Sequence, residues 1–195
     1  EGVEAFTPAD LNLPENGFYA VCAANNRRMK GIPYLLKSFG CLPADATVHL
    51  LLLGKDMDTE ENKKIVASLP QPENIHFLGW RPDSLRIVKM ADTFILSSLY
   101  GESITKSVLE GMSLGTPALI SNIPGNREMI EDGVSGYVVP KADPQAMATA
   151  LLKMYQNPQK TQMMGKEALA RIKNRFNSEN TIKGYEAAYQ KLAAS

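Results

Sequence analysis

The sequence predicts an α/β fold, a doubly wound parallel sheet with helices on both faces, in a single domain. Three observations carry that expectation. Short apolar, β-branched runs alternate with amphipathic helical stretches through most of the chain, the pattern of a parallel sheet with crossover helices. Nearly every such run is followed by a helical stretch before the next one begins. With 195 residues, 44% of them hydrophobic and 22% charged, the chain reads as an average globular protein. It is long enough to bury one real core and too short for two.

The elements follow in order. Residues 1–15, EGVEAFTPADLNLPE, have no clear period and carry Pro8 and Pro14, which fits an extended lead-in to the first strand. The domain proper is expected over 16–175, with strands near 18–24, 47–54, 74–79, 93–98, 116–122 and 136–140. Helical patterns lie between them at IPYLLKSF, TEENKKIVASL, PDSLRIVKM, TKSVLEGMSL and NREMIEDG. Asp143 followed by Pro144 is an N-cap and first-turn pair, and Met147, Leu151, Met154 and Tyr155 then form one apolar face. A second helix is expected near 160–174. A third fills the C-terminal segment 176–195, starting near Ser178 with Ile182, Tyr185, Tyr189 and Leu192 in one stripe.

Composition narrows the function classes. Twenty-one basic side chains balance 21 acidic ones, so no global field draws the protein onto nucleic acid or anionic lipid, and any anion must be held locally. Cys22 and Cys41 form no CxxC pair and have no histidine beside them, which argues against a zinc site or a disulfide framework and fits a reducing cytoplasm. The longest apolar stretches are too short to cross a bilayer, and the N-terminus has no basic-then-apolar signal pattern. The chain opens on Glu1 rather than Met, as expected of a piece of something longer.

In a doubly wound sheet, ligands bind beyond the carboxyl ends of the strands, where strand order reverses. After TFILSS the chain reads LYGESITKS, a loop feeding a helix, and free amides at such a helix start hold phosphate. Glu102 stands in that loop and Glu110 inside the helix. Carboxylates repel phosphate, so their useful targets are hydroxyls of a sugar or ribose, from which they accept charge-assisted bonds. Two glutamates alone are what any helix end and surface supply; the residues around them separate the two cases. His49 and His76 fall within strand runs and read as ordinary sheet residues. The basic turn NNRRMK lacks aromatic partners and a wider basic face, so it is no nucleic-acid patch. There is no Ser-His-Asp grouping, metal cluster or Walker lysine motif.

The run from Ala91 to Pro140 resembles the donor-site region of retaining glycosyltransferases of family 4, which have the GT-B fold of two facing Rossmann-like domains. Their hallmark is a glutamate, seven residues and a second glutamate, then a small-residue turn, Gly-x-Pro and a strand. Here Glu102, Glu110, Gly115, Thr116 and Pro117 take those places. FLGWRP is similar to the family's Phe-Leu-Gly turn, FNSENTIKGYEAAYQKL to its C-terminal helix and EGVEAFTP to its interdomain lead-in.

The resemblance implies a Rossmann-like domain, the C-terminal half of a GT-B enzyme. Glu102 would contact the transferred sugar, Glu110 the ribose, and the amides of Thr105, Lys106 and Ser107 the diphosphate. Lys30 and Gly31 match the family's Lys-Gly, whereas the usual arginine position holds Asn25, with Arg27 and Arg28 following. Lys30 and Arg28, or Arg27, would then neutralise the departing diphosphate. The base is expected by Gly79, Trp80 and Arg81, with Trp80 either stacking on it or capping the surface. Glu128 matches an acid often found opposite the donor. Where many relatives carry glycines after the first glutamate, this chain reads SITK.

The implied reaction transfers a sugar from a nucleotide diphosphate sugar to an acceptor hydroxyl, with retained configuration and without a metal or other cofactor. It belongs in bacterial polysaccharide or glycolipid synthesis. The implied partners are the nucleotide-sugar donor, an acceptor glycan or glycolipid, and an N-terminal Rossmann-like domain. That domain would carry the acceptor site and any peripheral contact with the inner face of the cytoplasmic membrane, so this half alone would bind donor but transfer poorly. Two rivals stand beside it, a nucleotide-sugar epimerase of GT-B fold and a non-enzymatic nucleotide-sugar-binding module.

Overall fold

Each apolar run becomes a strand of one sheet. The structure, a computed structural model, describes residues 2–176. The strands are β1 (Phe18–Ala23), β2 (Val48–Leu53), β3 (Ile75–Gly79), β4 (Thr93–Leu96), β5 (Ala118–Ser121) and β6 (Gly136–Val139). All pairings are parallel, in the order β3-β2-β1-β4-β5-β6. β2, β4 and β5 are buried at every position, as parallel strands covered on both faces must be.

The helices are α1 (Ile32–Phe39), α2 (Glu60–Ala67), α3 (Ser84–Met90), α4 (Lys106–Ser113), α5 (Asn126–Met129), α6 (Pro144–Gln156) and α7 (Pro158–Arg175). Strand order reverses between β1 and β4. With right-handed crossovers, that reversal sends α1 and α2 to one face of the sheet and α4 to the other. Accordingly α1 packs against α2 and α6, and α4 against α3 and α7. Phe94, Leu50, Leu51, Leu52, Ile87 and Met112 are among the fully buried side chains at the centre.

The α6 start follows its sequence signal, since the Asp143 carboxylate accepts from the Ala146 amide at 2.9 Å. The pattern NREMIEDG yields a single helical turn instead of a longer helix. Ile130 is extended, and Asp132 turns to the sheet edge, where its Oδ1 accepts from the Val138 amide at 2.9 Å. The lead-in contains a 3-10 turn at Pro8–Leu11 and is laid along α3. Phe6 donates its amide to the Arg86 carbonyl at 3.3 Å, and the Arg86 guanidinium sits 4.1 Å from the Phe6 ring centroid. The C-terminal helix expected over 176–195 lies outside the described residues except for Phe176. Among the described residues, no helix is long and apolar enough to cross a membrane.

Candidate functional site

The carboxyl ends of β1 and β4 meet at the reversal, and the loops that follow them are stitched together by the backbone. The Leu99 amide donates to the Met29 carbonyl at 2.7 Å. The Ser97 hydroxyl lies 2.9 Å from the Lys30 carbonyl and 3.1 Å from that of Gly31. Gly31 takes a left-handed conformation with φ 63°, and a Cβ there would fall 2.4 Å from the Ser97 carbonyl oxygen. Only glycine permits this approach. These contacts fix the 3-10 turn Arg28–Lys30 beside the Glu102 loop.

Lys30 consequently reaches Glu102. Its Nζ donates to Glu102 Oε1, and the two side chains are 16% and 9% exposed. The Ser98 hydroxyl donates to the same oxygen at 2.8 Å, and the Thr105 hydroxyl stands 3.2 Å from Oε2. Burial pushes the Glu102 carboxyl up, but the bonds from Lys30 and Ser98, the Lys30 charge and Thr105 together hold it below its ordinary value. It is an ionised acceptor.

α4 begins beside this pair. Thr105 is its N-cap residue but makes no side-chain cap. The first amides of α4 are therefore left for a ligand, at the positive end of the helix. One turn on, half-buried Glu110 faces the same space. Lys106, 90% exposed, places its Nζ 3.4 Å from Glu110 Oε1 across one turn of the helix.

Around these groups runs a cleft of about 420 Å³, lined by Ala24, Asn25, Arg27, Lys30, Glu102 and Glu110 together with the start of α4. It continues, sharing Asn25, Ser107 and Glu110, into a space of about 270 Å³ bounded by Gly54, Trp80, Arg81 and Ser84. A cleft of this size suits a small organic ligand. The structure thus brings Lys30, Glu102, Thr105, Lys106, Ser107 and Glu110 together at one end, with Trp80 and Arg81 at the other. Trp80 lines this second space and is 65% exposed. Arg81 is held by Asp83 through two bonds of 2.8 and 2.7 Å, and this pairing raises its pKa above the ordinary value. Of the two arginines, exposed Arg27 lines the cleft and Arg28 does not. Glu128 is exposed on α5, outside the cleft lining, and its carbonyl accepts from Arg171 at 3.0 Å.

Asn25 has its own task, since its Oδ1 accepts from the Lys55 amide at 3.1 Å and ties the loops after β1 and β2 together. Ser97 and Ser98 also went unassigned in the sequence. Their one signal is a pair of hydroxyls directly after a strand, on the loop to Glu102.

Comparison with known proteins gives the same fold and a family. The family model described as glycosyl transferases group 1 matches residues 3–171. An uncharacterized glycosyltransferase of Methanocaldococcus jannaschii is 27% identical over 170 residues, which are 85% of this chain and 43% of that protein. The N-acetyl-alpha-D-glucosaminyl L-malate synthase of Bacillus anthracis is 25% identical over 180 residues, 92% of this chain and 47% of the synthase. The chain thus spans less than half the length of either relative. Among solved structures, Anabaena HepE in complex with UDP superposes with a TM-score of 0.82 at 21% identity, covering 96% of this chain and 51% of that one. HepE in complex with UDP-glucose gives 0.80, with the same identity and coverage.

Proposed function

This chain belongs to the glycosyl transferases group 1 family, and from that premise we propose that it is the donor-binding half of a retaining glycosyltransferase of family 4. In this reading a nucleotide diphosphate sugar lies along the cleft, with its sugar at Glu102, its diphosphate at the α4 amides, its ribose at Glu110 and its base toward Trp80. The carrying observation is the juxtaposition of an uncapped helix start with two acceptor carboxylates at the point where strand order reverses. The UDP and UDP-glucose bound by HepE, a protein of the same fold, support this class of ligand.

The geometry suits departure of a diphosphate. Lys30 and Arg27 are cations on the cleft wall, and with the amides they supply positive groups where negative charge develops. The reading therefore assigns charge neutralisation to the protein without a metal, so donor binding should persist in excess EDTA. Transfer itself needs an acceptor and a second wall, which the proposal assigns to a further Rossmann-like domain.

Calorimetric titration with UDP, GDP and ADP and their sugars tests the assignment. One diphosphate should bind in wild type, and Glu110→Ala should weaken it by about 1–3 kcal/mol through lost ribose hydrogen bonds. Unchanged affinity in the variant removes Glu110 from the ribose; absence of binding by any of the three nucleotides refutes the donor site as a whole.

A further inference from the structure

Asn126 is fully buried at the start of α5 and does not line the cleft. It nevertheless touches the group that matters most there. Its amide oxygen lies 2.7 Å from the Thr105 hydroxyl, which itself lies 3.2 Å from Glu102 Oε2. A hydroxyl has one proton to donate, so with this amide orientation two acceptors compete for it. The other end of the amide, Nδ2, has no partner. The other amide orientation ends the competition and gives Nδ2 a partner. The two ends of an amide are alike in shape, and half a turn about the last side-chain bond sets Nδ2 against the Thr105 oxygen. The Thr105 proton is then left to Glu102 alone.

The surrounding backbone holds these groups at contact distance. Gly125 has φ 85°, and a Cβ there would fall 2.3 Å from the Ser103 carbonyl oxygen, so the start of α5 lies directly against the Glu102 loop. Within that loop, Glu102 Oε1 is served by Ser98 and Lys30, and Oε2 by Thr105. Lys30 is the donor an incoming diphosphate competes for, because it is a cation on the cleft wall. The neutral hydroxyls feel no such pull. When the lysine turns to phosphate, Ser98 and Thr105 are what keep the carboxylate aimed.

We infer that Asn126 is a positioning residue for Glu102, acting through the Thr105 hydroxyl as a directed chain of donors, Asn126 to Thr105 to Glu102, that aims the carboxylate at the sugar of the donor. The chain of donors stands on the geometry of the free protein, whereas its link to sugar recognition rests on the donor site proposed above. Because Asn126 itself stays off the cleft, its removal should spare the nucleotide and cost only the part of recognition that passes through Glu102.

Two measurements test it. In the first, calorimetry compares UDP with UDP-glucose on wild type, Asn126→Ala, Thr105→Val and Thr105→Ser. Asn126→Ala and Thr105→Val should lower the ratio of UDP-glucose to UDP affinity by about tenfold. In Asn126→Ala, UDP affinity itself should stay within about twofold, and Thr105→Ser should keep the ratio that Thr105→Val loses. A merely structural lesion would weaken both ligands together, and that result overturns the inference. In the second, the Glu102 carboxyl is titrated by NMR in the ligand-free, carbon-labelled protein. Both disruptive variants should move its midpoint upward by about half a pH unit or more. A midpoint unchanged in both refutes the donor chain. If neither nucleotide binds wild type but the midpoint moves, the donor chain stands and its tie to UDP-sugars fails.

Discussion

Lys30→Met isolates the ion pair at the centre of the cleft. Lys30 and Glu102 side chains are only 16% and 9% exposed, so water screens them poorly. Removing one member of a buried pair costs about 3–5 kcal/mol because the other charge is left uncompensated. Here Ser98 and Thr105 still serve the carboxylate, which brings the expected loss to about 2–3 kcal/mol. Glu102→Gln added to Lys30→Met removes the stranded charge, so the double variant should recover about 1–2 kcal/mol relative to additivity. Urea unfolding at pH 7, followed by far-UV circular dichroism, reads both quantities. The pH dependence has a definite sign. Burial raises the Glu102 carboxyl, and the hydrogen bonds and charge of its partners overcome this to hold it below its ordinary value of 4.5. The stabilisation is therefore full above that value and is lost as pH falls through the lower folded value. In Lys30→Met the burial effect is less opposed, so the folded value rises toward or past 4.5 and the acid-dependent loss should shrink or change sign. Single and double variants that add within about 0.3 kcal/mol would show that the pair carries no coupling energy.

Two further outcomes are expected. His49 Nδ1 and His76 Nε2 are 3.2 Å apart, and the His49 ring stacks on Tyr19. Burial and the neighbouring His49 lower the His76 pKa to about 4 from 6.5, and burial lowers that of His49 despite Glu73. The unfolded chain therefore takes up these protons first. Stability is full above pH 6.5 and falls toward pH 4, by about 1–2 kcal/mol after discounting for the partial solvent access of His76. Unfolding of His76→Phe should lose most of this slope, and an unchanged slope would place its source elsewhere. Trp80 is the lone tryptophan and stands 65% exposed on the cleft, so a bound nucleotide base should change the intrinsic fluorescence saturably. If a nucleotide binds by calorimetry and the emission does not respond, the base does not lie at Trp80.

The fold was legible because its signals are local. Six apolar runs became six strands, and the Asp143-Pro144 signal fixed the start of α6. NREMIEDG misled because its second half is spent on the edge of β6, where Asp132 serves Val138, and no helical period records that demand. In the site, the Glu102 to Glu110 spacing and the helix start between them could be read directly. The sequence did not show that Lys30 would be bound to Glu102, that Arg81 would be occupied by Asp83, or that Asn126 would stand behind Thr105. The Lys30 and Asn126 contacts close over long separations in the chain, where side-chain type says little about partner. Arg81 and Asp83 are close in sequence, yet a basic and an acidic residue in a turn are equally compatible with two solvated side chains.

The departures from the family pattern make physical sense when taken in pairs. A guanidinium has donors only, so an arginine at position 25 could not accept from the Lys55 amide as Asn25 does at 3.1 Å. That bond, and the Asn26 amide donating to the Lys55 carbonyl at 3.0 Å, tie the loop after β1 to the loop after β2. Further along the turn, Arg27 lines the cleft. Thr105 departs from a glycine-rich loop in the same manner. Its side chain is buried, with its hydroxyl against Asn126 and Glu102. The amides at the start of α4 thus remain uncapped although the loop has gained a side chain. In both places an acceptor-bearing residue fixes the backbone, while Arg27, Lys30 and the uncapped start of α4 remain on the cleft.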